Sequence, residues 1–147
     1  MISQRAKYAL RALVSLAKAG PDQPLFIGDI AREQAIPKKF LEQILLQMKA
    51  NGLVASRRGK AGGYLLLRPA EDITYGEVLR IVDGPIALLP CLSRIAYRRC
   101  EDCSDEKTCE IRRVFARVAE ASRNVLDGMT IKESIAAQGE ARVPIEA

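Results

Sequence analysis

Hydrophobic residues recur at helical spacing along the first fifty residues and predict three helices. The first spans residues 3–18 and ends at Gly20-Pro21, and a short second helix covers residues 28–34. After a tight turn, Pro37 begins the third helix, because its ring lacks the N–H that a first helical position leaves unused. This helix runs to about Ala50. Its inner face holds Phe40, Leu41, Ile44, Leu45 and Met48.

A β-hairpin is predicted directly after the third helix. Residues 53–56 and 64–67 have the composition of short strands, and residues 57–63 join them through the basic, glycine-rich turn RRGKAGG. Helix, short helix, tight turn, helix and basic hairpin is the order of a winged helix-turn-helix. We therefore predict a mainly α fold in which the hairpin forms a small wing.

The second half of the chain returns to helical periodicity. Thr74 and Glu77 have the spacing of a capping box, as do Thr130 and Glu133, and each pair predicts the start of a helix. A long amphipathic helix, on the order of 25 Å in length, lies between them and ends at Gly128.

Positive charge is concentrated in the first half of the chain. The net charge is +5, yet residues 1–68 carry 12 Lys or Arg against 4 Asp or Glu, and residues 69–147 carry 11 against 14. This asymmetry favours a polyanionic partner such as double-stranded DNA, although ordinary surface solvation also produces it. No apolar run of about 18 residues is present. The first residues lack a signal peptide, so we expect a cytoplasmic protein without membrane contact.

Polar side chains of the third helix and the hairpin suit DNA recognition. A helix in the major groove could pair Gln43 with adenine and Glu42 with the amino group of cytosine, and Gln47 lies on the same outer face. Tyr64 is expected to pack under the wing, with its hydroxyl near a phosphate. Cations for phosphate or groove contacts are Lys38 and Lys39 on the helix and Arg57, Arg58 and Lys60 on the wing.

All four cysteines lie within 19 residues, in the arrangement C-x8-C-x2-C-x5-C. Clustered thiols in a reducing compartment seldom form structural disulfides and usually bind zinc or an iron–sulfur cluster. The chain has no histidine, which excludes histidine ligands and Cys–His catalysis, and nothing else indicates an enzyme. The candidate ligands are Cys91, Cys100, Cys103 and Cys109.

Spacing alone leaves three possibilities for these cysteines. Structural zinc sites favour two close pairs, and only Cys100 and Cys103 form one. The wider spacing around that pair suits a loop that wraps a cluster. The pair could also form a reversible disulfide, although the βαβ pattern of thioredoxin-like proteins is missing.

Three segments of the chain resemble the characteristic segments of one known protein family. KYALRAL at residues 7–13, IPKKFLEQIL at residues 36–45 and RGKAGGY at residues 58–64 resemble the Rrf family of bacterial repressors, which includes the iron–sulfur regulators IscR, NsrR and RirA. The resemblance extends over about residues 1–135.

The resemblance implies a homodimer in which the long helix crosses its partner. It also implies base reading by Glu42, Gln43 and Arg58. The helix face that would join the two copies consists of Ile111, Val114, Phe115, Val118, Val125 and Leu126.

The resemblance favours an iron–sulfur cluster, 2Fe–2S or 4Fe–4S, over zinc. The family usually takes three ligands from this loop and a variable fourth. Arg112 stands where some members keep a histidine, and Lys7 stands where others keep an acid on the first helix of the partner. Both are poor ligands, so the four loop cysteines are the simplest ligand set.

These inferences divide the chain into four parts. Residues 1–84 are predicted to form the DNA-binding domain, residues 85–109 the cofactor loop, residues 110–137 the dimerisation helix and a terminal helix, and residues 138–147 a disordered tail. The predicted function is that of a homodimeric repressor whose binding to a pseudo-palindromic operator is switched by a cluster. A zinc-bound or a thiol–disulfide-switched regulator is the alternative.

Overall fold

A computed structural model describes residues 2–137 and begins with three helices close to those predicted. Helix α1 spans Gln4–Ala19, α2 spans Ile27–Glu33 and α3 spans Lys38–Ala50. Pro37 is the cap residue that precedes α3 rather than its first helical residue. The mainly helical fold class predicted from the sequence is confirmed.

A tight turn fixes α3 relative to α2. Ala35 adopts a positive φ of 52°, and the N–H of Ile36 donates to the carbonyl of Ala31 at 2.9 Å. The side chain of Ile36 is only 4% exposed, so the turn is anchored in the core. These contacts complete the helix-turn-helix.

The wing consists of two antiparallel strands, β1 over Val54–Arg57 and β2 over Gly63–Leu66. Leu25 extends this sheet, because its backbone exchanges two hydrogen bonds of 2.8 Å with that of Tyr64. Residue 63 must be glycine here. Its φ is +128°, and a Cβ would lie 2.5 Å from the carbonyl oxygen of Leu25. The sequence pattern did not predict that the wing is tied to the loop before α2.

Within residues 2–137, three α-helices follow the wing: α4 over Tyr75–Asp83, α5 over Glu110–Gly128 and α6 over Ile131–Ala136. The capping box at Thr130 and Glu133 forms in full.

The other predicted capping box forms only in half. The Thr74 side chain accepts from the N–H of Glu77 at 3.2 Å, as a cap should. The carboxylate of Glu77 instead accepts from Arg68 at 2.6 Å, so it ties the strand end to α4.

The core lies between α1, α3 and the wing, and α6 closes one side of it. Ile131 of α6 is fully buried in this cluster, whereas Ala119 is the only residue of α5 below one-tenth exposure. Within residues 2–137 no helix is long and apolar enough to cross a membrane. The predicted tail, residues 138–147, lies outside the described residues.

Candidate DNA-binding surface and cysteine loop

Helix α3 presents one polar and one apolar face. Four residues of its apolar face, Leu41, Ile44, Leu45 and Met48, are fully buried and Phe40 is partly buried, and this fixes which side chains turn outwards. The four predicted DNA contacts of the helix are all exposed: Lys38, Lys39, Glu42 and Gln43. They occupy the first two turns, which is the part of a recognition helix that meets base edges.

Gln47 was assigned to the same outer face, but the structure gives it another role. Its side-chain carbonyl accepts from Arg5 at 3.0 Å, and its amide donates to the carbonyl of Ile81 at 2.8 Å. The Arg5 guanidinium also lies 5.8 Å from the ring centre of Phe40. Gln47 therefore holds α3 against α1 and α4 and is not available to a groove. Amphipathic periodicity alone does not reveal such a network.

The wing tip depends on one glycine without a positive φ. The N–H of Gly62 donates to the carbonyl of Gly59 at 3.0 Å, and Gly62 is buried in the turn. A Cβ on Gly62 would lie 2.4 Å from the carbonyl oxygen of Arg57. The tight turn projects the exposed cations Arg57, Arg58 and Lys60.

Two further side chains support the wing. Tyr64 is half-buried and packs against the core, consistent with its predicted place beneath the wing. The Lys49 ammonium donates to the hydroxyl of Ser56 at 2.7 Å and so links the end of α3 to β1. Lys49 was not among the predicted DNA contacts.

Two of the four cysteines meet. Cys91 lies in a short 3-10 turn over Pro90–Leu92 and is 6% exposed. Its side chain lies beside that of Cys100. Burial raises the pKa of the Cys100 thiol, and the neighbouring Cys91 adds to the rise.

The other two cysteines have different partners. The Arg99 guanidinium donates to the backbone carbonyl of Cys103 at 3.1 Å, and contact with the Cys103 side chain raises the pKa of Arg99. Cys109 caps α5, because its sulfur accepts from the N–H of Arg112 at 3.4 Å.

The four thiols of the loop are suitable in chemistry and in number to bind a metal ion or an iron–sulfur cluster. All four thiols are free, three are partly exposed, and thiolates are the usual ligands of iron–sulfur clusters. In the part of the chain that the structure describes, however, no three Cys, Asp or Glu side chains converge on one point. Only the Cys91–Cys100 pair is assembled, so Cys103 and Cys109 would have to approach it.

The two positions at which the family resemblance implies a further ligand are occupied by cations. Arg112 lies 3.9 Å from the carboxylate of Glu106, which also accepts from the hydroxyl of Tyr97. Lys7 is exposed on α1. Neither side chain can donate an electron pair to a metal while charged.

Helix α5 carries an apolar face that the described residues leave uncovered. Ile111, Val114, Phe115, Val118 and Val125 are between 37% and 66% exposed, and Leu126 is partly buried. This much apolar side chain along one helix is typical of a surface that meets a partner.

Comparison with known proteins places the chain among transcriptional regulators. The family described as "Rrf2: Iron-dependent Transcriptional regulator" matches residues 2–137. An rrf2-like HTH-type regulator of Rhodobacter capsulatus is 49% identical over 140 residues, which are 93% of each chain. The regulator IscR of Yersinia pseudotuberculosis is 30% identical over 91% of this chain and 78% of its own. The structure of CymR, the global cysteine regulator of B. subtilis, superposes with a TM-score of 0.78 at 29% identity, over 92% of this chain and 96% of that one.

Proposed function

Because the chain belongs to the Rrf2 family of transcriptional regulators, we propose that it is a homodimeric repressor that binds a pseudo-palindromic operator in double-stranded DNA. The observation that carries this proposal is the exposure of every predicted contact of α3 together with the three wing cations. The helix would read base edges in the major groove, and the wing would hold phosphates or enter the minor groove.

The apolar face of α5 supports the dimer. Burial of its valine, isoleucine and phenylalanine side chains against a second copy would contribute roughly 25 cal/mol for each Å² of apolar surface removed from water. A two-fold dimer would place its recognition helices about 34 Å apart, so we expect half-sites about one helical turn apart.

We propose that the four loop cysteines hold an iron–sulfur cluster that switches operator binding in response to iron, redox or nitric oxide status. Cys91 and Cys100 would supply the part of the site that is already assembled, and Cys103 and Cys109 would complete it. A bound cluster would supply a centre that can be oxidised and then lost from the protein. The cysteines would tie the loop to the first turn of α5, since Cys109 caps that helix. Ordering of the loop would then bias the arrangement of the two recognition helices.

A thiol switch is the second candidate, and the contact between Cys91 and Cys100 favours it. It needs only two of the four cysteines, and these two are neighbours without a cofactor. The structural similarity to CymR, described as a cysteine regulator, adds support.

Anaerobic purification tests both candidates. The expected product is coloured, contains iron and sulfide, and binds DNA selected from random sequence as a dimer. A colourless protein with stoichiometric zinc would exclude the cluster. A colourless protein without metal that forms a reversible disulfide would favour the thiol switch. Salt-insensitive or absent DNA binding would exclude the repressor, because phosphate contacts release counterions.

A further inference from the structure

A basic cleft lies where α4, the loop segment 85–95 and α5 meet. Its volume is about 260 Å³. The polar wall consists of Arg80, Ser93, Arg94, Arg123 and Asp127. None of the cysteines and none of the proposed DNA contacts lines this cleft, so it is separate from both sites described above.

Positive charge dominates the cleft. Asp127 accepts from Arg80 at 2.7 Å, and this pair joins α5 to α4. The bond from Arg80 lowers the pKa of Asp127, and the charges of Arg123 and Arg94 lower it further. Three guanidinium groups therefore face one carboxylate, which leaves a net charge of +2 among these four side chains.

Two donors in the cleft lack an acceptor. The Nε–H of Arg123 is buried and has no hydrogen-bond partner among residues 2–137. The hydroxyl of Ser93 accepts from the N–H of Ala96 at 2.9 Å, and its own O–H proton remains available. Ser93 is only 9% exposed. A buried donor without an acceptor costs free energy. An anion that accepted hydrogen bonds from both Arg123 and Ser93 would therefore bind favourably.

We propose that this cleft binds a small organic phosphate, held by Arg94, Arg123 and Ser93. The guanidinium group offers a planar fork of N–H donors that matches phosphate oxygens. Beside the charges lies an apolar wall that would accommodate a short carbon skeleton and favour a phosphate ester over inorganic phosphate. That wall consists of Pro85, Ile86 and Ile95.

Occupancy of the cleft would join three elements, of which Arg80 and Asp127 already connect α4 to α5. Arg94 and Ser93 follow Cys91 closely in the chain, and Arg123 belongs to the helix proposed to form the dimer. A bound phosphate ester would therefore fix the start of the cysteine loop against α5. The binding itself depends on neither the cluster nor the DNA.

The test is calorimetric titration of the full chain with phenyl phosphate, without DNA and at constant ionic strength. We expect one saturable site per chain and weaker binding of inorganic phosphate. Arg94→Gln and Arg123→Gln should each lower the affinity at least about tenfold, as expected for loss of a charge-assisted hydrogen bond. Arg117→Gln is the matched control, because it removes the same charge from an exposed position of α5 outside the cleft.

Three outcomes would overturn the proposal. They are the absence of saturable phenyl phosphate binding, an equal loss of affinity in Arg117→Gln, and binding of inorganic phosphate as tight as that of phenyl phosphate. Arg94 is exposed in the loop, so Arg94→Gln should keep the thermal unfolding midpoint of the wild type and reports on binding even if Arg123→Gln folds poorly.

Discussion

The side chain of Cys91 contacts that of Cys100, although Cys103 is much closer to Cys100 in sequence. The N–H of Cys103 donates to the carbonyl of Cys100 at 3.2 Å, which closes a backbone turn between these two residues. The thiol partner of Cys100 in this structure is thus the buried cysteine at the start of the loop. Sequence spacing instead indicated the close pair Cys100 and Cys103.

The first prediction is that oxidation of the metal-free protein links Cys91 to Cys100. Hydrogen peroxide would take two electrons and two protons from the thiols and be reduced to two water molecules as the S–S bond forms. Peptide mapping by mass spectrometry should find this bridge in the wild type and in Cys103→Ser, and should not find it in Cys91→Ser. A Cys100–Cys103 bridge in the wild type would contradict the contact.

The second prediction concerns the wing. Arg58→Ala should weaken binding to a selected operator by about 1–3 kcal/mol if the guanidinium reads the groove. Lys18→Ala removes one positive charge at the exposed end of α1 and should change the operator affinity by much less. Fluorescence anisotropy at fixed salt measures both. Equal effects would mean that only net charge matters and would remove Arg58 from the site.

The third prediction separates wing geometry from wing charge. Gly62→Ala should reduce DNA binding without loss of charge, because the new Cβ meets the Arg57 carbonyl at 2.4 Å and the turn must shift. Such overpacking typically costs about 1–3 kcal/mol. Gly28→Ala is the control, since its Cβ would meet nothing within 4 Å. Wild-type affinity of Gly62→Ala, at unchanged circular dichroism, would show that the wing conformation is not needed.

The fourth prediction concerns assembly through α5. Val118→Glu should convert the proposed dimer to a monomer, because a carboxylate would have to be buried among apolar side chains. Asn124→Glu adds the same charge on an exposed position away from this face and should remain dimeric. Analytical ultracentrifugation distinguishes the two. A dimeric Val118→Glu would move the interface elsewhere.

Local signals predicted the helices and the wing well. Helical spacing, Pro37 and the RRGKAGG turn identify the helix-turn-helix and the hairpin to within a residue or two, because each is stabilised by contacts close in sequence. The exposure of Glu42 and Gln43 follows from the same periodicity.

Contacts between distant residues were not predictable in this way. The strand pairing of Leu25 with Tyr64, the Arg5–Gln47 network and the salt bridge of Glu77 with Arg68 all join residues whose proximity depends on the complete fold. The contacts within the cysteine loop are the hardest to predict from the sequence. Spacing identifies its four donors, but which thiols meet depends on the path of a loop with little regular structure.

The most direct test of the proposed switch is operator affinity measured on one anaerobic preparation before and after removal of the cluster. Loading should be followed in parallel by the visible spectrum and by iron and sulfide content. We predict that the two forms differ in operator affinity by at least about tenfold, or 1.4 kcal/mol, and that a Cys91→Ser variant behaves as the cluster-free form in both readouts. Identical affinities of the loaded and cluster-free forms would contradict the account.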